Sequence, residues 1–80
     1  MKAYNEIRKL LVEDKVNPKL IHYLDCTKVA FGHRIELYNA CSFLITFLGI
    51  EDKLNLATQH KLEKLLKEFK ENIDGNNPQC

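Results

Sequence analysis

Eighty residues with 45% apolar content, and twelve basic against eleven acidic side chains, make one small domain of net charge +1. That balance excludes the strong positive field of a dedicated nucleic-acid or anionic-lipid binder. The opening Met1-Lys2-Ala3-Tyr4-Asn5-Glu6 has neither the apolar core nor the cleavage site of a secretory signal, so a cytoplasmic protein is expected.

Tyr4, Ile7, Leu10 and Leu11 recur at helical spacing with Glu6, Arg8 and Lys9 opposite, which predicts an amphipathic helix over residues 3–13, closed by Asp14 and Lys15. Asn17-Pro18 then marks the start of a second helix. Asn accepts backbone donors as a cap, and Pro suits the first helical position because it has no donor to lose. Leu20, Ile21, Leu24 and Phe31 can line one side of it, with Gly32 ending it in the left-handed region. A third helix is predicted from Arg34 to Leu48, with Gly49 as its stop. Residues 37–50 carry no charge, too short a run to cross a bilayer, which takes roughly 20 apolar residues, so no membrane span is expected. This segment reads as the central helix of a bundle, covered on most of its circumference.

Glu51-Asp52-Lys53-Leu54-Asn55-Leu56 is a polar connection whose two leucines should fold back onto the core. The fourth helix, from Ala57 or Thr58 to just before Gly75, carries Leu62, Leu65, Leu66, Phe69 and Ile73 in one stripe, with Glu63, Lys67 and Glu71 four apart on the wet side. No alternating strand pattern occurs. The expected fold is all-α: an antiparallel bundle of four helices over residues 1–74, with Leu24, Leu37, Cys41, Leu44, Leu48, Leu62, Leu65, Leu66 and Phe69 in its core and residues 75–80 as a flexible polar tail.

Three cysteines are too few and too irregular for a disulfide framework. Cys26 and Cys41 sit in apolar patterns and are expected as small buried hydrophobes, whereas Cys80 ends the polar tail as an exposed thiol. No catalytic constellation is present: Gly32, Gly49 and Gly75 stand apart, so no phosphate loop exists, and no catalytic residue or cofactor is expected. His22 and Cys26, four apart on one helix face, are the one pair with metal-ligand spacing, with Cys41 or His33 as conceivable third ligands. Structural zinc sites draw paired ligands from two elements, so no resident metal is expected either.

As a helix-turn-helix, the chain would place its apolar third helix in the groove, where base readout requires Arg, Lys, Asn or Gln. Lys61, Lys64, Lys67 and Lys70 drift around the fourth helix among Glu63, Glu68 and Glu71, which limits nucleic-acid binding to weak phosphate contact. A protein partner, of an identity the residues do not name, is the remaining expectation. Tyr4, Tyr23, Phe31, Tyr38, Phe43, Phe47 and Phe69 are more large side chains than one small core holds. Tyr38, Phe43 and Phe47 fall outside the Leu37, Cys41, Leu44, Leu48 seam and are the expected partner-binding residues, on a surface of the third and fourth helices. Homodimerisation is the competing use of such a face.

The connection Asp14-Lys15-Val16-Asn17-Pro18-Lys19-Leu20, and the apolar helix followed by Asp52-Lys53-Leu54-Asn55-Leu56 and a leucine-striped helix, resemble the immunity proteins that protect lactic-acid bacteria against their own class IIa bacteriocins. The resemblance covers residues 5–72 and implies a cytosolic antiparallel four-helix bundle that acts without chemistry. No functional residue transfers singly, and this chain is shorter between its second and third helices and at its end. A phage- or plasmid-encoded inhibitor of a host or defence protein, or a small nucleic-acid-binding regulator, is the alternative function.

Overall fold

The computed structural model describes residues 2–76, and the side chains of residues 2–73. Four helices, α1 (Lys2–Glu13), α2 (Pro18–Phe31), α3 (Ile35–Ile50) and α4 (Leu56–Asn76), form an antiparallel bundle with no strand among the described residues. They pack as a ring, α1 and α3 each lying against α2 and α4. A ring of four has no central place. α3, whose only charge is Glu36 in its first turn, is therefore buried along one face only, through Leu37, Ala40, Cys41, Leu44, Ile45 and Leu48, rather than around most of its circumference.

The core is one cluster. Of the nine residues expected there, Leu24, Leu37, Cys41, Leu44, Leu48, Leu62, Leu66 and Phe69 are buried, and Leu65 packs half-buried at its edge. Tyr4, Ile7 and Leu11 join them from α1. Tyr4 meets Phe69 edge to face at 6.5 Å, closing the α1–α4 side with aromatic contact.

Helix ends follow the local chemistry, with three shifts from expectation. Asn17 Oδ1 accepts the Lys19 N–H at 3.0 Å and caps α2, and Gly32 ends it at φ 70°. Phe31 lies half outside because it sits one turn beyond Lys28, which already overlies Tyr4 near the start of α1. Gly49 does not stop α3. The helix passes through it to Ile50 and closes with Asp52 left-handed at φ 56°, where Asp52 N–H donates to Gly49 O and Lys53 N–H to Leu48 O. α1 closes in the same way around Lys15 at φ 59°, with Lys15 N–H on Val12 O and Val16 N–H on Leu11 O. Both are Schellman closures built on a non-glycine residue.

The third shift concerns α4, which begins one residue early. Asn55 Oδ1 accepts from Ala57 N–H at 2.8 Å, making Asn55 the cap and Leu56 the first helical residue. Only Leu54 of the two connection leucines reaches the core, while Leu56 points outward from the first turn. At its other end α4 continues through Gly75 and Asn76, past the expected boundary. The remainder of the expected tail, residues 77–80 with Cys80, lies outside the described residues.

Candidate partner-binding surface

Burying Leu37, Cys41, Leu44 and Leu48 leaves the opposite side of α3 facing outward, and the helical repeat puts Phe43, Phe47 and Ile50 there. Phe43 is 68% exposed, Phe47 45% and Ile50 78%. The two phenyl rings stack on each other, centroids 6.4 Å apart and planes 16° from parallel, so the pair presents one continuous apolar plate. Asn39 and Thr46, also exposed, flank it without charge.

Tyr38 lies elsewhere. It packs half-buried against the core with its ring edge to face on Phe69, centroids 5.8 Å apart at 88°. There it borders a shallow hollow of about 450 Å³ with Glu63, Leu66, Lys67, Lys70 and Glu71 of α4. The expected trio thus divides into a phenylalanine pair facing solvent and a tyrosine that belongs to the α3–α4 contact. The exposed aromatics beyond the pair are Tyr23 and Phe31 of α2. The apolar surface is consequently shared by α3 and α2, not by α3 and α4.

Beside the plate, Phe47 rims a hollow of about 420 Å³ between the start of α2 and the end of α3. Its walls include Val16, Leu20 and Leu48, and its mouth carries Lys15, Glu51 and Lys53. Both left-handed closures border this end of the bundle, and Asp14 Oδ2 accepts the Asn55 N–H at 3.2 Å to tie the two connections together. The exposed aromatic plate thus adjoins a hollow lined by apolar side chains together with Asn17 and charges of both signs.

Arg8 Nε and Nη2 donate to the two oxygens of Asp25 at 2.8 and 2.9 Å, the ion pair found among the described residues, and the bond from Arg8 holds the Asp25 carboxyl below the ordinary carboxylate range. Spacing along the chain did not reveal it, because the partners sit on different helices, and α1 alone places Arg8 on the wet side. Desolvation pushes the Tyr4 hydroxyl up to about 12, the Asp25 charge adding to it, and does the same for the buried Cys41 thiol. Burial lowers the His33 imidazole, with the positive charge of Lys28 contributing, and its Nε2 has no hydrogen-bond partner among the described residues.

Cys26 is exposed, contrary to expectation, because two residues beyond Leu24 the helix has turned to its far side. His22 lies beside it, Nε2 to Sγ 3.4 Å. Among the described residues no three His, Cys, Asp or Glu side chains converge as a metal site, and no helix is long and apolar enough to cross a membrane. No family profile, curated protein or solved structure matches the chain.

Proposed function

We propose that the protein acts without chemistry, in the cytoplasm, by binding a protein partner through the outer face of α3 with the adjoining edge of α2, and that the partner belongs to a bacteriocin immunity system. The stacked Phe43–Phe47 plate carries this reading. A folding requirement does not explain two phenylalanines held in solvent along the uncharged stretch of α3, whereas exposed aromatic side chains are the anchors that carry much of the free energy in protein contacts. The resemblance of the connections at residues 14–20 and 52–56 to those of the class IIa immunity proteins is the reason for naming that partner class.

The test is expression in bacteriocin-sensitive cells. Protection by the native chain, lost in the Phe43→Ser/Phe47→Ser double variant while helical circular dichroism is retained, is the expected result. Pull-down from the source cell separates the alternatives: a bacteriocin or membrane transporter supports immunity, whereas a nuclease or other defence component points to an inhibitor. Nucleic-acid affinity should be weak and fall steeply with salt, as phosphate contacts by α4 lysines alone would make it. Sequence-selective, submicromolar binding at physiological salt would replace this reading with that of a regulator.

A further inference from the structure

The exposure of Cys26 brings a second feature of the outer α2 surface into view, independent of the Phe43–Phe47 face. His22 and Cys26 lie one helical turn apart, both exposed, with Nε2 and Sγ 3.4 Å from each other. Zinc bonds of about 2.3 Å to thiolate and about 2.0 Å to imidazole, meeting at a tetrahedral angle, require a separation of about 3.5 Å between the two donor atoms. The pair therefore already has the bite of a chelate. In the metal-free protein the same approach is a hydrogen-bonding contact between thiol and imidazole, and an ion would take the place of the shared proton.

Two ligands fill half of a tetrahedral shell. We propose that His22 and Cys26 form a half-site for Zn2+ that a second copy of this chain completes, giving a bridged N2S2 centre between two α2 helices. Two observations favour a second copy over a solvent-completed site. His22 shares its hollow with Lys15 and Arg8, and Arg8 is neutralised by Asp25. An ion held by one thiolate leaves a net positive centre beside Lys15, whereas two thiolates cancel the charge of a divalent ion. The stripe running from His22 through Cys26, Val29 and Ala30 is exposed and uncharged, with Val29 at 87%, so two helices can approach along it. Each Cys26 thiol releases its proton on binding, and each His22 ligates as neutral imidazole, so affinity rises with pH. This site is exchangeable and bridging, unlike a zinc that holds a fold together.

The experiment uses the full chain carrying Cys80→Ser, to remove the terminal thiol, under a non-thiol reductant. Titration with Co2+, a spectroscopic stand-in for Zn2+, is expected to give thiolate-to-metal charge transfer and tetrahedral ligand-field bands that saturate near one ion per two chains. Sedimentation should show the mass doubling with added Zn2+ and returning with chelator. His22→Ala and Cys26→Ser should each abolish both signals without loss of helical circular dichroism, since both side chains are exposed. Absorption that survives Cys26→Ser overturns the site. Saturation at one ion per chain without a change of mass overturns the bridge, and absence of thiolate absorption in the parent protein overturns both.

Discussion

The two halves of the bundle treat their apolar residues differently. α1 and α4 bury theirs in clean stripes and leave only Val12 and Leu56 strongly exposed, whereas α2 and α3 expose Tyr23, Val29, Phe31, Ile35, Phe43, Phe47 and Ile50. Both halves share one core and the same packing chemistry. The excess on α2 and α3 is therefore not something that folding demands, and the difference separates residues that hold the structure from residues free to serve another purpose.

Neighbouring positions on α3 test this separation most strongly. Leu44 is fully packed, and Leu44→Ala should cost about 2–5 kcal/mol, approaching complete unfolding for a domain of this size. Phe43→Ser, one residue away, should cost under about 1 kcal/mol, because it removes a surface ring and part of one stack. Urea denaturation of the two variants measures both. A loss above about 2 kcal/mol at Phe43 would make the exposed plate part of the fold and remove the argument for a partner there.

The same helix shows what could be read in advance. The four helices, the Asn17 cap and eight of the nine expected core residues were legible because they depend on periodicity and on local donors and acceptors. What escaped depends on neighbours. Gly49 looks like a stop until the Asp52 closure is seen, since a left-handed Asp is an uncommon choice. Cys26 looks buried because Leu20, Ile21 and Leu24 come just before it in sequence, although the helical repeat turns it away from them. Of the three expected binding residues, Phe43 and Phe47 were placed together on the free face, while Tyr38 was claimed by a ring on α4 that lies far off in sequence.

The shared core offers the next largest effect, through pH. Burial holds the Cys41 thiol at about 12, and Tyr4 also at about 12, against ordinary values of 9.0 and 10.0. Above those ordinary values the unfolded chain loses protons that the folded chain keeps, so these groups' contributions are complete below about pH 9 and decline as pH rises toward 12. The slope reaches about 1.4 kcal/mol per pH unit for each group as its window opens. Denaturation midpoints measured from neutral pH to about 10.5 should fall accordingly. Cys41→Val, which keeps the position apolar, should flatten the first part of that decline, and an unchanged profile in this variant would place its origin away from the Cys41 thiol.

The seam between the halves at α1 and α2 is held partly by Arg8 and Asp25, each 41% exposed at the side chain. Solvent screening limits such a pair to about 0.5–1 kcal/mol even with both bonds formed. A double-mutant cycle with Arg8→Ala and Asp25→Ala should return a coupling in that range that shrinks with added salt. Zero coupling would mean that this ion pair adds nothing to the other contacts that join the two helices.

The opposite seam, between α3 and α4, gives the smallest effect and a change of sign. A Cβ on Gly49 would lie 2.6 Å from Gln59 Nε2 and 3.2 Å from its Cδ, so the glycine lets the two helices approach there. The obstructing atoms are the end of a flexible side chain whose contact is an exposed 3.5 Å bond to Glu63, and they can swing aside. Against that small adjustment, alanine in a helix interior gains about 0.5–1 kcal/mol over glycine. Gly49→Ala should therefore leave stability unchanged or raise it by up to about 0.5 kcal/mol. A helix stop at this position would give the reverse, because alanine resists the left-handed conformation, and a measured loss above about 1 kcal/mol would show that close approach at Gly49 sets the spacing of α3 and α4.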